Sequence, residues 1–293
     1  MAGSSPPYES DAAFEARLRK RINKLILISM AALVAIMFGF PMYFMAVSAF
    51  KAEAEILSTP FNWLPQEFVG MQHFESAFER APIGQWYFNS VFIAAVQVLA
   101  AIFFGAMAGY GFAKFNFRGK KILFALILSI MAVPFQILLI PLYVEIRQFG
   151  WHNSYAGLIV PGLLCAFAVF MMRQFALSIP DELLDSARID GASEFRIFIY
   201  IALPLLAPAS ASLAIILFLG SWNNFLWPLV VAQDRNLWTL PVGMTVFSQP
   251  YRGEPSIGPS MAVSTLATLP VALLFIFFQR YFIEGMMVSG IKG

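Results

Sequence analysis

Long uncharged stretches alternate with short charge-bearing ones along the whole chain. Charge-free runs occupy residues 25–50, 86–113, 122–144 and 151–172, which are 26, 28, 23 and 22 residues long. Each satisfies the requirement of about 20 apolar helical residues for a bilayer core. A further uncharged run over 197–233 is 37 residues, too long for one span. Pro204 and Pro208 divide it, because proline cannot continue a helical ladder, which places the span at about 205–232. The last run, 255–279, has 25 residues. The pattern predicts an all-α integral membrane protein with six transmembrane helices in one domain, residues 25–284. It is flanked by a polar tail at 1–24 and a short tail at 285–293. The basic stretch Arg17, Arg19, Lys20, Arg21 and Lys24 before the first run imitates a signal peptide. The run is too long for a signal core, however, and no small-residue cleavage site closes it, so it is expected to be retained.

Composition agrees. Apolar residues make up 59% and charged residues 12%, where soluble chains have about 45–50% and 25%; mean hydropathy is +0.72. A net charge of +2 without a concentrated basic face argues against nucleic acid as a partner. The single Cys165 excludes an internal disulfide framework, and with only His73 and His152 beside it no metal site is expected. With the N-terminus inside, the inner segments carry fourteen Lys and Arg and the outer ones five (Lys51, Arg80, Arg147, Arg235, Arg252). The positive-inside rule then places both termini in the cytoplasm.

Three connections are longer than turns. Outer segments 51–85, with five glutamates, and 234–254, rich in Pro, Gly and aromatics, read equally as docking surfaces or as covers over the rim. The inner connection 173–204 says more. Ser178 can cap a helix with Pro180, Asp181 and Glu182 in its first turn. Gly191 suits a left-handed stop, and Ser193 can cap a second helix running toward Leu203. The result is a helical hairpin with a small apolar stripe at Leu183, Leu184 and Ala187. It either folds against its own bundle or plugs into a cytoplasmic subunit.

The letters of this hairpin form a motif. Asp185-Ser186-Ala187, three residues, Gly191, nine residues, then Ile201-Ala202-Leu203-Pro204 resembles the EAA loop of ABC-importer permeases (Glu-Ala-Ala, three residues, Gly, nine residues, Ile-x-Leu-Pro). All spacings agree; Asp replaces Glu and Ser replaces Ala. Trp86…Asn89-Ser90, the run Ser221-Trp222-Asn223-Asn224-Phe225-Leu226-Trp227-Pro228 and the ending Glu284-Gly285…Gly290-Ile291-Lys292-Gly293 are similar to the second-subunit type of the maltose-type carbohydrate permeases. The resemblance implies a type I importer fold with an EAA coupling loop at 178–204, in the bacterial cytoplasmic (inner) membrane. It implies a carbohydrate substrate, mono- or oligosaccharide, and three kinds of partner: a second permease subunit, a dimer of cytoplasmic P-loop ATPases and an external solute-binding protein. Asp185, Ser186, Ala187, Gly191, Ile201, Leu203 and Pro204 would then couple to the ATPase through a stiff hairpin continuous with helix five.

No cofactor is expected on this chain; ATP and Mg would be used by the partner. Gly119-Lys120 lacks the upstream glycine and the following Ser/Thr of a P-loop, so no ATP site of that kind is expected here. Polar groups at membrane depth usually face a cavity or a partner helix. Gln97, Gln136, Asn223, Asn224 and Trp222 are the candidates for a substrate path, since amides bond hydroxyls and rings cover apolar sugar faces. Trp222 and Trp227, five residues apart, cannot share one narrow stripe. Interhelical bonding or an interface belt is the competing role for all of them. Gly105 and Gly109 predict close helix packing, and Pro134 and Pro141 a bent third helix. A secondary transporter or channel acting alone is the alternative function, but it would need coupling charges inside the spans. A membrane enzyme would need a nucleophile–base pair that this sequence does not offer.

Overall fold

The computed structural model describes residues 11–250, 253 and 256–290; among these the regular structure is helical, joined by turns and loops, with one isolated bridge pairing Lys51 with Phe68. Residues 1–10, Arg252, Pro255 (the expected start of the last span) and 291–293 with Lys292 lie outside the described residues.

Helix α1 runs Asp11–Ser48, so the basic stretch before the first apolar run is helical too. Its 38 residues measure about 57 Å at 1.5 Å per residue, well beyond a hydrocarbon core of about 30 Å. Two short helices, α2 (Glu53–Ile56) and α3 (Gln72–Arg80), precede α4 (Ile83–Lys114), which is unbroken over 32 residues. Helix α5 (Lys120–Ile130) starts after Gly119 and meets α6 (Phe135–Gln148) at a bend of 98°. The bend falls at Pro134, which itself is extended (φ −61°, ψ 131°), and the residue before a proline is disfavoured in the helical region; Pro141 sits inside α6 without breaking it. The third apolar run is therefore a sharply bent pair.

The fourth is broken as well. Ser154 caps α7 (Tyr155–Ile159), accepting from the Gly157 N–H at 3.3 Å; a 3-10 turn at Val160–Gly162 follows, then α8 (Ala166–Ala176). Cys165, expected as a mid-helix filler, is the N-cap position of α8. The hairpin helices α9 (Asp181–Ile189) and α10 (Glu194–Ile197) continue through a π-helical turn at Phe198–Ala202 into α11 (Leu203–Leu205). Then come α12 (Ala207–Trp222) and α13 (Leu226–Val231), parted at Asn223–Phe225. Helix α14 (Leu240–Gly243) lies in the connection before the last helix, and α15 (Ile257–Gly290) ends the described chain. The segments α1, α4, α7–α8 and α15 are each long and apolar enough to cross a bilayer. The bent pairs, α5 with α6 and residues 194–205 with α12, meet the same test jointly.

Segments 51–80 and 234–243, expected on the outer side, are fastened down. The Glu53 carboxylate accepts the Ile257 and Gly258 N–H groups at 2.7 and 2.9 Å, a charged cap on the positive end of α15. His73 bonds the Lys51 carbonyl at 2.7 Å and lies so close to Gly258 that a Cβ there would come within 2.2 Å of the imidazole. Segment 51–80 thus covers the rim of the last helix. Segment 234–243 folds onto α4: the Trp86 indole donates to the Arg235 carbonyl at 2.7 Å, and Ser90 Oγ accepts from the Leu240 N–H at 2.8 Å. Asn89 Nδ2 donates to the Asn236 and Trp238 carbonyls, while its oxygen accepts from Gln85 and Tyr155. Trp86, Asn89 and Ser90, which carried part of the resemblance, therefore act structurally.

The main core forms where α4 meets α8. A Cβ on Gly105 would fall 2.7 Å from the Ala168 Cβ, and one on Gly109 2.6 Å from the Arg173 nitrogen, which is the close packing that the Gly-xxx-Gly spacing predicts. Ala168 and Met172 share this core with Leu184 and Ile197 of the hairpin, Phe198 of the π turn, and Leu206, Ala209 and Leu213 at the start of α12.

Candidate functional site

The hairpin begins at Pro180, the N-cap residue of α9, with Asp181 and Glu182 in the first turn. Ser178, expected as the cap, instead turns its hydroxyl back to donate to the Phe175 carbonyl at 2.7 Å; the rigid φ of Pro180 starts the helix without it. Gly191 takes φ +81° with nothing within 4 Å of a would-be Cβ. Its N–H donates to the Arg188 carbonyl, and the Ala192 N–H to that of Ala187, each at 3.0 Å, so the left-handed stop is formed as glycine allows. Ser193 caps the second arm, accepting from the Arg196 N–H at 3.4 Å.

One cation closes the turn from inside. Arg188 donates to Asp185 at 2.6 Å and, across Gly191, to both Glu194 oxygens at 2.7 and 3.2 Å. These bonds hold the Glu194 carboxyl below its ordinary range and push Arg188 further up. The hydrogen bond from Lys114 does the same to Asp181, with their mutual charge adding to it. A depressed carboxylate adds order that is present above its unfolded pKa and lost as pH falls through the lower, folded one. The hairpin is therefore expected to stay fixed from pH 8 down to about 5 and to loosen only below about 4, beneath the usual carboxylate range. A nitroxide on Ile189→Cys checks this; growing mobility between pH 7 and 5 would contradict it.

The apolar stripe divides. Leu184 is fully buried in the chain's own core and Ala187 half-buried against it, whereas Leu183 is exposed. With Leu183, the outward apolar surface comes from two residues not singled out in the sequence, Ile189 at 86% exposure and Phe195 at 63%. Asp185 and Ser186 face outward beside them, Ser186 donating back to the Glu182 carbonyl. Ile201 and Leu203 pack half-buried on the core, and Pro204 is exposed. The hairpin does not continue straight into the fifth span: Leu206 has left the α region, Pro208 stands at the start of α12, and the two segments meet at 72°.

The polar candidates within the spans fall on two sides of α12. Gln97 and Asn224 line a cavity of about 240 Å³ with Gly162, Cys165 and Ser221, whereas Trp222 and Asn223 line another of about 390 Å³ with Met45, Ser264 and Thr268. Gln136 lies exposed on α6 and lines neither. Gln97 is occupied at both ends, donating to the Leu158 carbonyl at 3.0 Å and accepting from Ser221 at 2.8 Å, which ties α4 to α7 and α12. Both tryptophans are buried and donate within the chain, Trp222 to Ala267 and Trp227 to Gly157. Asn223 folds its amide onto the Leu219 carbonyl, and Asn224 Oδ1 accepts from the Trp227 N–H at 3.4 Å.

Known proteins share this architecture. The chain is 38% identical over 264 residues to the arabinooligosaccharides transport system permease protein AraQ of Halalkalibacterium halodurans, covering 89% of this chain and 94% of that one. It is 32% identical over 272 residues to the lactose transport system permease protein LacG of Rhizobium radiobacter, covering 93% and 98%. Its fold superposes with a TM-score of 0.81 on a bacterial ABC transporter involved in the import of the acidic polysaccharide alginate. That match covers 94% of this chain and 100% of the other at 19% identity. Residues 101–288, from mid-α4 through the hairpin to α15, match the family described as binding-protein-dependent transport system inner membrane component. On that match and on the full-length likeness to AraQ and LacG, this multi-pass membrane protein belongs to the binding-protein-dependent transport system inner membrane component family, the permease subunits of ABC importers.

Proposed function

We propose that the chain is one of two permease subunits of an importer that moves a carbohydrate inward across a bacterial cytoplasmic membrane, with both termini cytoplasmic and six spans, the third and fifth bent. A dimer of P-loop ATPases, using ATP and Mg, drives it, and an external solute-binding protein delivers the sugar. The observation that carries this reading is the hairpin. It is anchored by Leu184 and Ile197 in the bundle core and offers Ile189, Phe195, Asp185 and Ser186 outward, so a push on its outer face reaches the helices around α12. The relatives named for arabinooligosaccharides and lactose support a carbohydrate substrate. Helix α5 has no buried residue and α6 buries only Ile146, which leaves a face free for the second permease subunit.

Reconstituted with its ATPase, second subunit and binding protein, the chain is expected to support ATP hydrolysis that rises with sugar-loaded binding protein; alone it should hydrolyse none. In the same vesicles a cysteine at Lys120 should be labelled only from the cytoplasmic side and one at Glu67 only from outside. Hydrolysis by the isolated chain, or reversed labelling, would overturn the assignment.

A further inference from the structure

The 72° bend at Leu206 raises a mechanical question. A force on the hairpin is not delivered along the axis of α12, because the joint between them is a corner with a π turn beside it. A second connection bypasses that corner. Lys114, in the last turn of α4, has a side chain only 6% exposed. Its ammonium donates to the Ile179 carbonyl, just ahead of the hairpin, and at 2.7 Å to Asp181, the first residue of α9. Helix α4 in turn is pressed onto α8 at Gly105 and Gly109 without room for a methyl group, so α4 and α8 move as one body.

We propose that Lys114 is a positioning residue for transport: a strut that fixes the base of the hairpin to the α4–α8 pair, so that movement of the hairpin swings that pair as well as α12. The inference rests on the importer reading given above. The buried stem and the two acceptors suit a strut. A lysine ammonium has three donors, and here two of them engage the turn before α9 and the first helical turn of the same hairpin. Without the strut, the base of α9 keeps its short backbone link to α8, with the turn bonds of Ser178 and Ile179 to Phe175 and Ala176, but loses its polar tie to α4. The outer face with Ile189 and Phe195 stays intact, since the cation touches neither, so ATPase docking and basal hydrolysis are expected to persist. What fails is transmission.

The test uses the reconstituted importer with Lys114→Met, Lys114→Arg and Asp181→Asn. Amide hydrogen exchange across residues 181–189 reads the strut, and the ratio of binding-protein-stimulated to basal hydrolysis reads transmission. Lys114→Met is expected to speed exchange and to lower the ratio by about fivefold or more, the scale of an ordinary coupling energy. Asp181→Asn should move both in the same direction by less, because the Ile179 bond remains. Lys114→Arg, which keeps the charge and can reach both acceptors, should restore most of the ratio. Unchanged exchange in Lys114→Met would remove the strut. Faster exchange with an unchanged ratio would remove its role in transmission, and so would failure of Lys114→Arg to restore the ratio. Absence of stimulation in the unmodified complex would instead overturn the importer reading, and the role of the strut in transmission with it.

Discussion

Gly191→Val is expected to reduce sugar uptake by the reconstituted importer about tenfold or more, while the protein still inserts and pairs with its second permease subunit. The turn holds φ +81° in open space, so the valine meets no neighbour and the whole cost is conformational. A left-handed residue with a Cβ is disfavoured by about 1–2 kcal/mol, and a β-branched one fits that region worse still. The turn escapes by opening, which breaks the bonds from Gly191 to Arg188 and from Ala192 to Ala187 and pulls Glu194 away from the Arg188 guanidinium. The exposed Ile189 and Phe195, one on each arm, then lose their fixed relation to each other. Gly191→Ala should lose less, and Gly191→Asn least of the three, since asparagine tolerates this region best among residues with a side chain. Uptake and stimulated hydrolysis measured across the series decide the matter: equal rates for valine and glycine would mean that the hairpin is not the coupling element.

A glycine elsewhere should fail in the opposite way. Gly109→Val is expected to leave little assembled protein, because the new Cβ would sit 2.6 Å from the Arg173 nitrogen and 2.8 Å from the Met172 Cβ. Both obstacles belong to α8 near its backbone, so neither can swing aside. Overpacking a well-filled core usually costs about 1–3 kcal/mol, and displacing a helix that also carries the buried Ala168 and Ala176 lies at or beyond the upper end. Even Gly109→Ala should lower the yield of folded protein in detergent, read as a monodisperse peak and a falling unfolding temperature. Gly111→Ala, two residues on, with nothing within 4 Å, is the matched control. If Gly109→Val assembles normally, the α4–α8 contact is looser than described.

These two glycines show what the sequence could and could not convey. Both were legible, Gly109 from its spacing to Gly105 and Gly191 from its position between two capped segments, because each role is dictated locally. The apolar runs fell on helices α1, α4, α7–α8 and α15, each long and apolar enough to cross a bilayer, for the same reason. Bend angles were not legible. Pro134 and Pro208 mark where a helix must be interrupted, but the 98° and 72° turns are set by what the flanking pieces pack against. Nor were the partners of buried polar groups. Trp222, a substrate-path candidate with interhelical bonding as its competing role, donates its indole N–H to Ala267, 45 residues away, and Gln97 bonds Leu158 and Ser221 at separations of 61 and 124. Lys114 and Arg188 were passed over as members of the inner positive count. Their acceptors lie across a helix end and across a turn, where no periodicity reaches.

The π turn at Phe198–Ala202 gives the motif spacing a meaning that its letters do not. A π turn amounts to one residue inserted into an α-helix, with bonds reaching five positions back instead of four. Each residue in a helix carries about 100° of rotation, from 3.6 per turn, so this insertion sets the angular phase between the arm starting at Ser193 and everything beyond Leu203. Phe198 and Ala202 reach the core and Tyr200 faces outward only because of that phase. The nine residues between Gly191 and Ile201 are thus a dial setting: one residue more or fewer would turn Ile197 and Phe198 about 100° away from the core they now fill, whereas exposed Tyr200 can be exchanged without moving the joint.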